Sequence, residues 1–339
     1  MTEPSSPAIV ADNLTKRYEP SGVDALSGVS FSVASGEVFG FLGRNGAGKS
    51  TTVRILTTLI QPTAGSGQVA GFDVVGQPGE VRRALGAALQ AAALDELMTG
   101  REHLVLAGRL VGLPKAAAGE RAGELLSAFG LVAAADRVAA TYSGGMRRRL
   151  DVAMAMVRRP PVLFLDEPTT GLDPQGRRAL WGLIADLRSE GAAVFLTTQY
   201  LAEADELADR VAIVHEGRIA ALGTPRQLKD SAGSTTLRMR VAAASLATAR
   251  QELASVAGAE VADDGWVTID VAGGEATVPA LLARLQGAGV QVERLSILPP
   301  TLEDVFVNLT GTEIESSAGA GESGSLSAAR RNLGVVGRS

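Results

Sequence analysis

Along the 339-residue chain the spacing of apolar positions changes period several times. Val38–Leu42, Val162–Asp166 and Ala193–Thr198 are short, nearly unbroken apolar runs, as expected of strands buried on both faces. Residues 31–33 and 85–90 read as further short strands. Helical spacing fills residues 48–60, 101–111, 116–129 and 144–157, and Pro174–Ser189, with proline in the first turn of the last. Residues 211–215 and 218–222 flank Glu216-Gly217, a hairpin signal. Strands alternating with helices predict an α/β fold whose mostly parallel sheet is covered on both faces.

Near Lys229 the pattern changes. Residues 237–241 read as a strand, 244–256 as a helix, and 260–271 as two strands split by Asp264-Gly265. Residues 278–286 read as a helix, 290–298 as a strand and 302–309 as a short closing helix. This β-α-β-β-α-β order predicts a small α+β domain of ferredoxin-like type over 236–311, after a first domain over 8–230. Residues 312–339 are Gly, Ser and Ala with scattered charges, and are expected to form a disordered tail.

Composition narrows the function. Hydrophobic residues make up 46 % and aromatics only 4 %, so the apolar content is Ala, Val and Leu, suited to packed helices and strands. With no cysteine, disulfides, thiol nucleophiles, Cys–zinc sites and iron–sulfur clusters are excluded. Two histidines are too few for a His-rich metal site. A net charge of −5 without a long basic run gives nucleic acid no electrostatic footing. No run of eighteen apolar residues lacks a charge, so no membrane span is expected. The first residues have neither a basic flank nor an apolar run, so no secretory leader is expected. Membrane contact then has to come through a partner.

Only Lys16, Lys49, Lys115 and Lys229 are lysines, which makes any lysine-centred motif improbable by accident. Gly43-Arg44-Asn45-Gly46-Ala47-Gly48-Lys49-Ser50 nevertheless fits G-x-x-x-x-G-K-[ST], with a predicted strand before it and a helix after it. From the chain's own frequencies, on the order of 0.01 such matches are expected by chance. In such a loop, backbone N–H groups and a helix N-terminus cradle phosphate. Lys49 would reach the β- and γ-phosphates, Ser50 would ligate Mg²⁺, and Thr51 would add a phosphate contact. The apolar strand Val162–Asp166 ends in Asp166 and Glu167. Buried strands rarely end in adjacent acids without a reason. Here Asp166 would hold Mg²⁺ through water and Glu167 would polarise the water attacking the γ-phosphate.

Between these motifs stands Tyr142-Ser143-Gly144-Gly145-Met146. With it the chain resembles the ATP-binding subunits of ABC transporters, whose L-S-G-G-Q signature opens a helix ahead of the acidic strand. The resemblance covers about residues 8–311. It implies a P-loop NTPase of ABC type, with a β-sheet core and a helical signature subdomain, plus the small C-terminal α+β domain. It further implies ATP and Mg²⁺ as cofactors and a head-to-tail homodimer in which Ser143, Gly144 and Gly145 cap the γ-phosphate held by the other copy. Tyr18 matches the adenine-stacking aromatic. Gln90, at the end of the predicted strand 85–90, matches a Mg²⁺-contacting glutamine that faces the permease. Gly171-Leu172-Asp173 matches the loop crossing the dimer interface, which makes Asp173 an ATP-site residue. Gln199 stands where most members carry a switch histidine. A glutamine donates a hydrogen bond to the γ-phosphate but carries no positive charge. By resemblance Glu167 and Gln199 are the catalytic pair, and Ser50, Gln90 and Asp166 form the metal set.

Tyr142 and Met146 in the signature, Gln199, and the text Thr301-Leu302-Glu303-Asp304-Val305-Phe306 resemble the daunorubicin/doxorubicin-resistance type. The implied protein hydrolyses ATP and drives a separate membrane permease, at the cytoplasmic face of a bacterial membrane, exporting a hydrophobic drug or antibiotic. Export of a lipid or polyketide-lipid is the alternative. A non-transport ABC ATPase would carry a coiled-coil insertion or a second ATPase domain, and neither is in this sequence. Arg147-Arg148-Arg149 is expected on a solvated helix face, as are Glu203, Asp205 and Glu206. His103 and His215 are expected to be ordinary histidines.

Overall fold

The computed structural model describes residues 7–90, 94–232, 235–256, 258–271 and 277–311. Strands β1 (Ile9–Tyr18) and β2 (Val23–Val33) form a long antiparallel ribbon. β3 (Val38–Leu42) leads through the glycine-rich loop into α1 (Lys49–Leu56). β4 (Ala64–Val69), β5 (Phe72–Asp73), α2 (Pro78–Ala84) and β6 (Leu85–Ala88) follow. A helical section contains α3 (Gly100–Leu110), α4 (Lys115–Ala128) and α5 (Gly144–Ala155). Then come β7 (Val162–Asp166), α6 (Pro174–Ser189), β8 (Ala193–Thr198), α7 (Leu201–Leu207), β9 (Arg210–His215), β10 (Arg218–Gly223) and α8 (Pro225–Ser231).

Two sheets face each other. The larger has the order β10-β9-β3-β8-β7-β6 and is parallel apart from the β9–β10 hairpin. Every residue of β3, β7 and β8 is buried, as their unbroken apolar runs require. The smaller sheet, β2-β1-β4-β5, is antiparallel. Phe31 of β2 meets Phe39, Phe41 and Phe195 with ring centroids 5.2–5.5 Å apart, and Phe164 joins through Phe195. Five of the eight phenylalanines therefore sit at this one seam, so the low aromatic content is concentrated rather than spread. On the other side Leu104, Leu125, Leu126 and Leu150 of the helical section pack with Leu163, Leu165 and Leu196. Thr99 and Glu102 form a capping box that starts α3, and Ser143 caps α5.

Beyond residue 234, β11 (Thr235–Val241), α9 (Leu246–Leu253), β12 (Ala259–Val261), β13 (Trp266–Val271), α10 (Val278–Gly287) and β14 (Val292–Leu298) build an antiparallel sheet of order β12-β13-β11-β14. Numbered within this unit the order is 2-3-1-4, the split β-α-β arrangement. It has its own core of Leu237, Met239, Leu253, Ile269 and Leu285. The closing helix α11 (Leu302–Thr310) leaves that unit. Its Leu302, Val305 and Phe306 pack with Leu42, Ala204, Val211, Ile213 and Leu228 of the first.

Three expectations change. α1 stops at Leu56 rather than residue 60, because Thr58 turns to a positive φ of 63° and ends the helical path. β6 stops at Ala88, leaving Gln90 exposed in a bend rather than at a strand end. The antiparallel sheet is an addition to the expected parallel one. Its strands are half exposed and β1 carries register shifts, which blur any alternation. The predicted tail 312–339 lies outside the described residues, as do residues 1–6. Among the described residues, no helix is long and apolar enough to cross a membrane.

Candidate functional site

The loop between β3 and α1 wraps closely on its neighbours. A Cβ at Gly43 would lie 2.6 Å from the Val214 carbonyl. Gly48 has a φ of 104°, and its Cβ would lie 2.6 Å from the Ala25 carbonyl. Only glycine meets both the space and the dihedral. Lys49 is buried, and its ammonium donates to the Gly43 carbonyl at 2.8 Å and the Arg44 carbonyl at 3.1 Å. It also pairs with Glu167 Oε1 at 3.1 Å. Ser50 Oγ donates to Asp166 Oδ1 at 3.3 Å, which brings the loop and the acidic strand end into contact. Tyr18 lies on the same side, its hydroxyl 3.4 Å from Thr51 Oγ1 and Lys16 Nζ 5.4 Å from its ring centroid.

The acidic pair is held from β8. Thr197 Oγ1 donates to Asp166 Oδ1 at 2.5 Å and accepts from the Glu167 N–H at 3.0 Å, while the Thr197 carbonyl accepts from the same N–H at 3.1 Å. Glu167 itself has a φ of 47°, unusual for a side-chain-bearing residue. The Ser50 hydroxyl and the Asp166 carboxylate are hard-oxygen donors of the kind that suits Mg²⁺, while Gln90 lies exposed in the bend that follows β6.

Arg44, Asn45, Gly46 and Ala47 share the wall of a cleft of about 350 Å³ with Gln199, His215 and Glu216. The structure thus brings Gln199 to the phosphate loop. Ser143, Gly144, Gly145 and Asp173 line a different cleft, with Arg149, Gly171 and Gln175. Ser143 is exposed and its Oγ accepts from the Met146 N–H, while the Asp173 carboxylate caps α6 through the Gly176 N–H at 2.7 Å. Within one chain, the signature and Asp173 therefore lie in a separate cleft from the phosphate loop. Tyr142, in the place of the family leucine, is buried and donates from its hydroxyl to the Ala134 carbonyl at 2.7 Å.

Two solvent-facing expectations are corrected. Arg148 is buried, not solvated: its guanidinium turns inward under the acidic strand end. Glu203 is also buried, since α7 packs against β8 and α6. Burial pushes its carboxyl up to about 7, with Thr198, Thr169, Trp181 and Arg177 opposing the shift. Both carboxyl oxygens, and Trp181 Nε1, meet no partner at full hydrogen-bond geometry among the described residues. Thr197 is a further residue at the site that the sequence did not single out, and His215, expected to be an ordinary histidine, lines the cleft beside the phosphate loop. The run Thr197-Thr198 at a strand end beside an acidic strand was the available signal for the first.

Strand, phosphate loop, helix and an acidic strand one place further along the same sheet define a P-loop ATPase. Residues 26–170 match the ABC transporter family, and residues 223–310 match the C-terminal domain of DrrA1-3-like ATP-binding proteins. The daunorubicin/doxorubicin resistance ATP-binding protein DrrA of Streptomyces peucetius is 45 % identical over 313 residues, covering 91 % of this chain and 94 % of its own. Among solved structures, an ATP-binding subunit of an ABC transporter aligns at a TM-score of 0.60 and 32 % identity, over 66 % of this chain and 92 % of that one. A dimeric bacterial ABC transporter cassette aligns at 0.59 and 25 %, over 64 % and 98 %. The chain belongs to the ATP-binding subunits of ABC transporters, with a C-terminal domain of DrrA type, and it is an ATPase.

Proposed function

We propose that the chain powers a drug exporter: two copies pair head to tail on ATP, hydrolysis reopens them, and the motion drives a separate membrane permease. The observation that carries this reading is the separation of the two clefts. Arg44–Ala47 line one, and Ser143, Gly144, Gly145 and Asp173 line the other. An anion held at Lys49 is reached by Ser143 and the signature N–H groups only when a second copy presents them. The S. peucetius relative, named for daunorubicin/doxorubicin resistance, supports a hydrophobic drug or antibiotic as cargo.

In this reading the N–H groups of Gly43, Arg44, Asn45, Gly46, Ala47 and Gly48 wrap the phosphates, with Lys49 neutralising and Thr51 steadying them. Tyr18 stacks on adenine. Glu167 accepts the proton of the attacking water as its oxygen bonds to the γ-phosphorus and ADP leaves. Gln199 donates to a γ-phosphate oxygen. Ser50, Asp166 and Gln90 would hold Mg²⁺, which would supply charge neutralisation for the phosphates. Residues 8–230 form the ATPase domain and 236–311 the accessory domain, whose last helix is anchored back on the first. The subunit sits at the cytoplasmic face of a bacterial membrane through its permease. Glu167→Gln tests the assignment. It should retain ATP binding, lower hydrolysis by about a hundredfold or more, and accumulate as a dimer in size-exclusion chromatography with ATP. Wild-type turnover would remove Glu167 as the base.

A further inference from the structure

Arg148 projects from the first turns of α5, three residues beyond the signature glycines. All five of its N–H donors are directed at acceptors. Nε donates to the Pro168 carbonyl at 3.1 Å. Nη1 donates to the Leu89 carbonyl at 2.6 Å and to Asp151 Oδ2 at 2.7 Å. Nη2 donates to the Asp166 carbonyl at 2.8 Å, with the Ala88 carbonyl at 3.5 Å beyond it. One guanidinium therefore clamps the end of β6 just before Gln90, the end of β7 at the acidic pair, and the segment leading to Gly171-Leu172-Asp173. It does so from the helix that carries the signature. Its neighbours differ: Arg147 donates to the Ala139 carbonyl and to Glu96 at the surface, and Arg149 to the Gly145 and Phe129 carbonyls.

Burying a charge is costly, and Asp151 supplies one counter-charge. A purely structural link between two strand ends and one loop segment does not need a cation, because apolar packing would hold them without desolvating one. What a planar fork adds is orientation, several carbonyls fixed in one plane at once.

We infer that Arg148 is a positioning residue for hydrolysis: it sets the acidic strand end against the Gln90 segment, so that Asp166 and Glu167 reach working geometry only when α5 and that segment are in register. It touches no nucleotide and acts through the Asp166, Pro168 and Leu89 carbonyls. The inference rests on the roles proposed for Asp166 and Glu167, and Glu167→Gln tests those separately.

Arg148→Lys keeps the charge and loses the fork. In the purified full-length chain it should lower kcat by about tenfold or more, since small misplacements of reacting groups are costly. The Mg²⁺ concentration for half-maximal hydrolysis should rise several-fold, while the affinity for a fluorescent ATP analogue in EDTA stays within about twofold. Arg147→Lys should change none of these. If Arg148→Lys fails to fold, Asp151→Asn decides. It leaves the carbonyl contacts in place but loosens the fork, and should lower kcat in the same sense with metal-free nucleotide affinity unchanged. Wild-type kcat and Mg²⁺ dependence in the folded variant would overturn the inference. So would a loss of kcat matched by an equal loss of metal-free nucleotide binding, the signature of a general folding defect. If Glu167→Gln abolishes hydrolysis and Arg148→Lys does not lower it, the positioning role alone fails. If Glu167→Gln leaves hydrolysis intact, the reading beneath it fails.

Discussion

Glu203 offers a stability test with a defined sign. Its carboxyl is 1 % exposed, and burial pushes it from an ordinary value of 4.5 up to about 7. Between those values the folded chain keeps the proton and the unfolded chain has lost it. The folded state then binds more protons, so stability falls as pH rises through this window, and the loss is complete above about 7. The two values differ by about two and a half pH units, an upper bound of roughly 3 kcal/mol. Glutamine has the same shape and no proton to lose. Glu203→Gln should therefore match wild type to within about 1 kcal/mol near pH 5 and exceed it by up to roughly 3 kcal/mol near pH 8. At about 2–4 °C per kcal/mol for a domain of this size, the difference in melting temperature should open from near zero to roughly 6–12 °C. The assay is a pair of thermal melts at half-unit pH steps from 5 to 8. Only the difference between the two proteins is read, because a chain whose C-terminal unit has a core of its own is not a two-state system. Asp151, also pushed up by burial to about 6, cancels in that difference. Parallel profiles across the range would refute the reasoning and place an unseen partner on the carboxylate.

Three further outcomes follow from particular contacts. Lys49→Ala should weaken ATP binding at least about tenfold in a fluorescent-nucleotide titration, because the loop loses its only ammonium and Glu167 loses its ion-pair partner. Phe306→Ala, at a fully buried position where α11 docks, should cost about 3–5 kcal/mol in denaturant unfolding of the first core. Gln199→His should give hydrolysis a new pH dependence between about pH 5 and 8, read from kcat profiles of the two proteins, since imidazole changes charge in that range.

The strands that carry the chemistry were legible because their burial leaves an unambiguous trace. β3, β7 and β8 are buried at every position, and such strands read as unbroken apolar runs. The phosphate loop was legible for a different reason: Gly46 and Gly48 take positive φ and Gly43 and Gly48 leave no room for a Cβ, demands that a sequence records directly as glycine. Long-range placement left no such trace. Nothing in the spacing of Leu302, Val305 and Phe306 says that they pack on Leu42 and Ile213 rather than on Leu237 and Ile269, since amphipathic helices look alike whichever core receives them. Arg148 and Glu203 were read as solvated because charged residues usually are. Their burial depends on acceptors and walls supplied by four other segments, which no local window contains.

Those hidden charges bear on why the acidic strand end holds its shape. Glu167 adopts a φ of 47°, a conformation that persists in a side-chain-bearing residue only when its surroundings over-determine it. Here they do. Its N–H is fixed twice by Thr197, its carboxylate is paired with Lys49, and the carbonyls on either side of it, of Asp166 and Pro168, are both taken by Arg148. The restraints come from β8, α1 and α5, so the geometry of one carboxylate depends on three elements. Of these, α1 begins at the nucleotide loop and α5 begins at the signature. β7 and β8 pair in parallel register from Val162 to Asp166, so a shift of either helix relative to β7 acts on the contacts that hold Glu167. With Glu167 as the proposed base, an ATPase held this way is expected to lose turnover through movements of its helices while its fold and its nucleotide binding persist. That is the separation which the Arg148→Lys measurements resolve.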